Sequence, residues 1–206
     1  MTKLYYVHDP MCSWCWGFAP VLKELLENLP VNIEVKRLLG GLAVDSDAPM
    51  PDGMQTMLQE TWRRIEIKIP ETKFNFDFWS QCQPRRSTYP SCRAVIAARQ
   101  QGEQFDEGIT KAIQTAYYLQ ARNPSDLTML AGLANELGLD VELFKQDIAS
   151  ADTQQKLEKE MALSRELYVE NFPSLVLQVG KSNWQVPIDY LNMLPMLKLI
   201  NDLTEG

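Results

Sequence analysis

The chain has 206 residues, of which 45% are hydrophobic and 23% charged, and its net charge at pH 7 is -7. A chain of this length and composition can bury a core without disulfides or metal ions. The negative charge argues against a nucleic-acid partner and against an anionic membrane surface, because phosphate binding needs clustered Lys and Arg.

The start of the chain carries no sign of a secretory signal. A β-prone run begins by Leu4, and no apolar h-region with a small-residue cleavage site follows. No run of 18 or more apolar residues occurs. Four cysteines are too few for a disulfide scaffold. We therefore expect a cytoplasmic protein in which a close cysteine pair is reactive or metal-binding.

The first forty residues predict a β-α-β unit. Residues 4–7 are β-prone, residues 18–29 carry apolar side chains at spacings of three and four, and residues 31–39 alternate as a second strand. Gly40 and Gly41 end that strand. A unit of this kind favours parallel pairing of its two strands.

From about residue 42 to residue 170 the pattern is helical. Ser125 and Asp140 are predicted N-caps, and Tyr168 is predicted to lie on the apolar stripe of the last of these helices with Leu157 and Met161. The predicted helices cover residues 54–67, 92–101, 105–119 and 127–137, a segment after Asp140, and residues 152–169.

Strand patterns return at residues 174–179 and 184–187, and a helix is predicted over 190–203. The order is β-α-β, a block of helices, then β-β-α. The sequence therefore predicts an α/β protein with a thioredoxin fold and a large all-helical insertion. The expected domains are 1–41 with 171–206, and the insertion over 42–170.

The pair Cys12 and Cys15 follows the first strand and opens the first helix. Unpaired N–H groups and the positive end of the helix dipole favour an anion at this place, so we expect Cys12 to act as a thiolate. A thiolate is the attacking species in disulfide exchange. The two-residue spacing lets Cys15 resolve a mixed disulfide on Cys12. A C-x-x-C pair at this position of a βαβ unit indicates redox chemistry.

The cysteines allow other interpretations as well. A zinc site would need further ligands, and Cys82, Cys92 and His8 do not have a zinc spacing. A pair of inert buried thiols is a second alternative to redox chemistry. We expect neither a metal nor a cofactor. Cys82 and Cys92 are interpreted as free thiols, and their spacing leaves a second redox pair open.

The segment from Asp9 to Phe18, with a helical insertion and a late proline before a strand, resembles the DsbA family. Together with residues 90–95, the segment is similar to the FrnE-like cytoplasmic branch. The resemblance implies disulfide exchange with protein thiols or with small thiols such as glutathione. Tyr6 replaces the buried acid of relatives and Trp14 replaces the histidine of DsbA, so the strong oxidising power of DsbA is not expected here.

The resemblance also implies a substrate site. A cis proline at Pro173, with Phe172, would face the cysteines and offer backbone groups to an extended substrate. Trp14, Trp16, Phe18 and Tyr89 are predicted to form an apolar docking surface. Core packing is the alternative for Trp16 and the favoured interpretation of Phe18.

His8 and Asp9 are predicted modulators. A charged His8 would stabilise the thiolate, whereas a hydrogen-bonded histidine at the strand end is the favoured alternative. Asp9 is expected to shape the turn with Pro10, and a proton relay through Asp9 is the alternative.

Two other functions remain open on the same fold. Kappa-class glutathione transferases and hydroxychromene-carboxylate isomerases resemble the chain, and glutathione would then lie along Phe172 and Pro173. Those enzymes usually carry a serine at the first cysteine position, so Cys12 argues against them. The third alternative is a non-catalytic, chaperone-like binder that uses an apolar cleft.

Overall fold

The computed structural model describes residues 2–205. Its strands are β1 (Thr2–His8), β2 (Ile33–Leu39), β3 (Ser174–Val179) and β4 (Ser182–Val186). Its helices are α1 (Ser13–Glu27), α2 (Asp52–Lys68), α3 (Phe78–Gln81), α4 (Tyr89–Gln101), α5 (Phe105–Gln120), α6 (Leu127–Glu136), α7 (Val141–Ile148), α8 (Ala151–Glu166) and α9 (Leu194–Glu205).

The four strands form one sheet in the order β2-β1-β3-β4. β1 pairs with β2 in parallel and with β3 antiparallel, and β4 pairs antiparallel with β3. Tyr6, in the inner strand β1, lies opposite Arg37 on one side and Leu175 on the other. The predicted thioredoxin fold with an all-helical insertion between β2 and β3 is confirmed.

One face of the sheet is covered by α1 and α9. Leu4 and Leu177 of the sheet pack with Phe18 and Leu22 of α1 and with Ile200 of α9, and all five side chains are buried. The burial follows from the apolar spacing of three and four along α1. This packing holds the first turn of α1 at the end of β1, which positions the two cysteines.

The insertion builds its own core around α4, against which α5, α7 and α8 pack. Leu39 of β2 belongs to this core, so the insertion packs onto the edge of the sheet. The Glu160 carboxylate accepts the Leu39 N–H at 2.7 Å and pairs with Arg99 at 2.5 Å. The division into two domains at residues 42 and 170 stays a prediction.

An aromatic cluster links the insertion to the start of α1. Its centre is Trp62 of α2, whose ring lies 4.9 Å from Phe74 and 5.5 Å from Tyr118. Trp14 and Trp16, which flank Cys15, pack against this cluster. The helical insertion therefore contacts the segment that carries the cysteines.

Several local predictions are wrong. Ser125 does not cap α6, because Asp126 holds the N-cap position and the Ser125 hydroxyl donates to the Ser87 carbonyl at 2.8 Å. Tyr168 lies beyond the end of α8 with a φ of 58°, and it is exposed rather than on the apolar stripe.

The last helix also begins later than predicted, at Leu194. The Asp189 carboxylate accepts the N–H groups of Leu191 and Asn192 and forms a turn before it. The short helix α3 was not predicted at all. Among residues 2–205, no helix has the length and apolar composition needed to cross a membrane.

Candidate active site

Cys12 occupies the N-cap position of α1, between β1 and the first helical turn. Its sulfur accepts the backbone N–H of Cys15 at 3.3 Å, and its own N–H donates to the Asp9 carbonyl at 3.0 Å. Cys12 is 6% exposed and Cys15 is fully buried. Of the two cysteines, Cys12 is therefore the one that keeps some contact with solvent.

The surroundings of Cys15 favour its protonated thiol over the thiolate. Burial raises the pKa of the Cys15 thiol well above its ordinary value, and the adjacent Cys12 sulfur raises it further. The Asp9 N–H acts in the opposite direction. The two sulfurs are therefore chemically distinct, with one at the helix N-terminus and the other enclosed behind it.

The segment before β3 closes over Cys12. The Phe172–Pro173 peptide bond is cis, as predicted, and Pro173 is buried. The Cys12 sulfur lies 3.4 Å from the Phe172 carbonyl oxygen. The structure thus brings together Cys12, Phe172 and Pro173, although they are about 160 residues apart in the chain.

The predicted docking residues lie in different surroundings. Trp14 is half-buried, with its ring 5.0 Å from that of Tyr190, and the Lys68 ammonium lies 5.5 Å from the centre of the Trp14 ring. Trp16 donates its indole N–H to the Lys73 carbonyl at 3.2 Å and stacks on the ring of Tyr118. These contacts favour the packing alternative for Trp16, and its role in docking stays a prediction.

Tyr89 lies at the first position of α4 and packs against the core of the insertion. Its ring lies beside Gly41, where an added Cβ would be 2.9 Å from the ring. Burial raises the pKa of the Tyr89 hydroxyl. These contacts make Tyr89 part of the junction between the insertion and the loop after β2.

His8 matches neither of its predicted roles. Both ring nitrogens of His8 are buried without a hydrogen-bond partner in residues 2–205. The prediction of a hydrogen-bonded histidine at the strand end is therefore wrong. Burial lowers the pKa of His8 well below its ordinary value, and Arg37 and Arg99 lower it further. A charged imidazole is therefore disfavoured as well. The ring stacks on Tyr6 at 4.7 Å.

Asp9 is buried and receives hydrogen bonds at both carboxylate oxygens. Oδ1 accepts the Met11 N–H at 2.8 Å, which is the expected turn. Oδ2 accepts the Leu42 N–H at 2.8 Å, the Thr88 hydroxyl at 2.7 Å and the Cys92 thiol at 3.5 Å. Burial raises the pKa of the Asp9 carboxyl, and these bonds act against that rise.

The other two cysteines make separate contacts. The Cys82 thiol donates to the Ala121 carbonyl at 3.0 Å, at the edge of the aromatic cluster. Cys92 is fully buried in the insertion core and donates to Asp9. Burial raises the pKa of both thiols. A second redox pair between them stays a prediction.

The strand position of the acid found in relatives is occupied by the Tyr6 phenol. Burial raises the pKa of Tyr6 well above its usual range, and the charge of Cys15 raises it further. Asp9 is the buried carboxylate nearest in sequence to the cysteines. Across residues 2–205, no three His, Cys, Asp or Glu side chains are grouped so that they could hold a metal ion.

Comparison with known proteins gives one family and several relatives. A sequence model of a family described as thioredoxin matches residues 5–188. The ClpXP adapter protein SpxH of Halalkalibacterium halodurans is 29% identical over 177 residues, which are 84% of this chain and 58% of the relative. The chain thus spans less than two thirds of the length of the curated relatives that it matches.

Solved structures resemble the chain over nearly all of its length. A protein disulfide isomerase candidate from Nitrosomonas europaea has 25% identity and a TM-score of 0.86, covering 99% of this chain and 98% of its own. The cytosolic disulfide reductase DsbM from Pseudomonas aeruginosa has 21% identity and a TM-score of 0.80. The match covers 99% of this chain and 100% of DsbM. DsbM has also been solved with glutathione. The predicted likeness to DsbA-type proteins is confirmed at the level of the fold.

Proposed function

The chain belongs to the thioredoxin family, and we propose that it is a thiol–disulfide oxidoreductase that exchanges disulfides with protein substrates through Cys12 and Cys15. The observation that carries this proposal is the asymmetry of the two sulfurs. Cys12 lies at the helix N-terminus and keeps 6% of its surface exposed, while Cys15 is fully buried and donates its N–H to the Cys12 sulfur. This is the arrangement that an attacking thiol and a resolving thiol need.

In the reducing direction, the Cys12 thiolate attacks one sulfur of a substrate disulfide. A Cys12–substrate bond forms, and the other substrate sulfur leaves as a thiolate. Cys15 then loses its proton and attacks the Cys12 sulfur, which releases the second substrate thiolate and forms the Cys12–Cys15 disulfide. Two electrons pass to the substrate, and the reverse sequence oxidises a dithiol.

The substrate is held beside Cys12 by Phe172, Pro173 and Trp14. Pro173 has no N–H to donate, and the Phe172 carbonyl is directed at the Cys12 sulfur. Backbone groups at this place pair with an extended peptide next to the reacting sulfur. The half-buried Trp14 ring, with Lys68 above it, forms the apolar side of the same site.

Small thiols such as glutathione are proposed partners as well, and the cytoplasm is the proposed location. The DsbM neighbour, which is described as cytosolic and has been solved with glutathione, supports both. Assignment to the FrnE-like branch rests on the resemblance of residues 9–18 and 90–95.

A protein-binding adapter is the second candidate function. It is favoured by the similarity to SpxH over 84% of this chain. An adapter of this kind would bind its client through a surface and would keep its binding when the sulfurs are replaced. Glutathione transfer and chaperone-like binding are the remaining alternatives.

Insulin reduction with dithiothreitol tests the main proposal. Cys12→Ser should abolish the acceleration of insulin precipitation, and Cys15→Ser should reduce it strongly. Cys82→Ser is the matched control and should keep the wild-type rate, because Cys82 lies at the aromatic cluster and donates to the Ala121 carbonyl. Equal activity of wild type and Cys12→Ser would contradict the proposal and favour the adapter function.

Trapping of mixed disulfides assigns the two roles. Cys15→Ser leaves the attacking sulfur without its resolving partner, so disulfide-linked client proteins should accumulate and disappear on reduction. Cys12→Ser should trap none. Equal trapping by both variants would mean that the roles of the sulfurs are wrongly assigned.

A further inference from the structure

A cavity of about 340 Å³ lies between α1 and α5, where the β-α-β unit meets the helical insertion. This volume is within the range of small-molecule sites, about 300–1,000 Å³. Neither Cys12 nor Cys15 lines the cavity, so the disulfide exchange proposed above does not use it. Its inner end is formed by the buried side chains of Tyr6, Leu22, Thr110 and Gln114. Its mouth is formed by the exposed residues Pro20, Lys23, Glu107 and Lys111.

The two helices present chemically different faces to this cavity. Residues at spacings of three and four share one face of a helix. The face of α1 is mainly apolar and consists of Trp16, Ala19, Pro20, Lys23 and Leu26. The face of α5 is polar and consists of Glu107, Thr110, Lys111 and Gln114. A molecule that filled the cavity would therefore need an apolar side and a polar side.

The hydroxyl of Thr110 is a buried polar group that the protein leaves unmatched. Thr110 is 4% exposed, and its Oγ1 has no hydrogen-bond partner among residues 2–205. Burying a hydroxyl without a partner is unfavourable, and a polar group that enters the cavity removes that cost. Gln114 lies one turn further along α5, is 5% exposed and lines the same cavity, so its amide provides a second polar group.

The charges around the cavity favour an anion. Its charged side chains are Lys23, Arg37, Lys111, Glu71 and Glu107. Arg37 pairs with Glu107 at 3.9 Å, and Lys23 lies 3.8 Å from Glu27. Lys111 has no carboxylate oxygen within 4.0 Å in the part of the chain that the structure describes. It follows Thr110 directly, so one cation without an ion pair lies next to the unmatched hydroxyl.

We propose that this cavity binds a small carboxylic acid with an apolar body, which packs on the α1 face and places its carboxylate against the Thr110 hydroxyl and the Lys111 ammonium. The apolar body leaves water on the α1 face, which favours binding. Glu71, at the rim, acts against an anion and lowers the affinity. The site is separate from the reacting sulfurs, and the inference does not rest on the proposed redox function.

Titration of the full chain with octanoate, followed in two-dimensional amide NMR spectra, tests the inference. Octanamide has the same body and a planar neutral head, and octylammonium carries the opposite charge. We expect octanoate to shift amides of α1 and α5 and to bind at least about fivefold more tightly than octanamide, because its carboxylate accepts charged hydrogen bonds. Octylammonium should bind most weakly. Spectra that do not change with octanoate, shifts confined to other elements, or equal affinity for octanamide would overturn the inference.

Variants of α5 test the two polar contacts. Thr110→Val keeps the branched shape but removes the hydroxyl, and it should weaken octanoate binding about fivefold. Lys111→Gln is the second variant if Thr110→Val does not fold, because Lys111 is exposed; it should weaken binding about twofold to fivefold. Lys159→Gln, at an exposed position of α8 away from the cavity, is the matched control and should keep the wild-type affinity. Wild-type affinity in Lys111→Gln would overturn the inference.

Two more variants separate this site from the cysteines and test the sign of its charge. Glu71→Gln removes a carboxylate at the rim and should strengthen octanoate binding, whereas a weaker binding would overturn the preference for an anion. Cys12→Ser should bind octanoate as the wild type does, whether or not the chain exchanges disulfides. Loss of octanoate binding in Cys12→Ser would overturn the assignment to a separate cavity.

Discussion

A single methyl group added at Gly40 should disturb the site from outside the cysteine motif. Gly40 follows β2 directly and donates its N–H to the His8 carbonyl at 2.7 Å. A Cβ at Gly40 would lie 2.0 Å from Cζ of the Phe172 ring and 2.2 Å from its Cε1. Real carbon atoms do not approach so closely, so the ring of Phe172 must move in the Gly40→Ala variant.

Moving the Phe172 ring should lower both the free energy of unfolding and the exchange activity. Overpacking of this kind costs about 1–3 kcal/mol. For a chain of this size, each kcal/mol lowers the melting temperature by about 2–4 °C. Because the carbonyl of the same residue lies 3.4 Å from the Cys12 sulfur, exchange activity should fall together with stability.

Urea unfolding of Gly40→Ala and of a matched variant checks this. Gly108→Ala, in α5, is the control, because its Cβ would meet only Leu137 Cδ2 at an ordinary 3.8 Å. We expect it to stabilise the protein by about 0.5–1 kcal/mol, since alanine is the better helix former. A Gly40→Ala variant within about 0.5 kcal/mol of the wild type, a change typical of surface positions, would refute the reasoning.

Three further predictions concern stability. Trp62→Ala, at the centre of the aromatic cluster, should cost about 3–5 kcal/mol in urea unfolding, and a cost below about 1 kcal/mol would contradict that central position. Asp140→Ala removes the carboxylate that accepts the Leu143 N–H at the start of α7, and it should lower the free energy of unfolding by about 1 kcal/mol. An unchanged urea midpoint would mean that this N-cap does not stabilise the protein. His8 is neutral in the folded protein because burial lowers its pKa, and in the unfolded chain its pKa is about 6.5. Below pH 6.5 the unfolded chain therefore binds a proton that the folded protein does not. The free energy of unfolding should then fall with pH, by up to about 1.4 kcal/mol per pH unit. His8→Phe keeps a ring stacked on Tyr6, and its stability should depend less steeply on pH between 6.5 and 5; an unchanged dependence would assign the effect to another group.

Most of the elements and their order along the chain followed from local patterns. The apolar spacing of α1 and the alternation of β2 are properties of short windows, and the position of Cys12 and Cys15 at a helix start is equally local. Pro173 was predicted to be cis only through the family resemblance. Helix ends were less accurate, because the turn at Asp189 replaces a first helical turn that the apolar pattern alone favours.

The partners of the buried polar groups could not be predicted. Asp9 binds Leu42, Thr88 and Cys92, which lie 33, 79 and 83 residues further along the chain. No periodicity connects residues at such separations, and each donor alone is an ordinary surface or core residue in the sequence. His8 shows the same limit, since the two arginines that lower its pKa are contributed by β2 and α4.

The pairing of β1 with β3 has a consequence for how the protein is made. β1 is one of the two inner strands, yet residues 174–179 of its β3 partner are made long after it, and Tyr5 bonds to Gln178 across the whole insertion. At about 5–20 residues per second, the ribosome needs roughly 8–32 s to add the 160 residues between Cys12 and Phe172. During that interval one edge of β1 is unpaired and Cys12 lacks the carbonyl that later faces it. The Cys12 and Cys15 thiols of a nascent chain are therefore exposed to the redox state of their surroundings before the segment around Phe172 can cover Cys12.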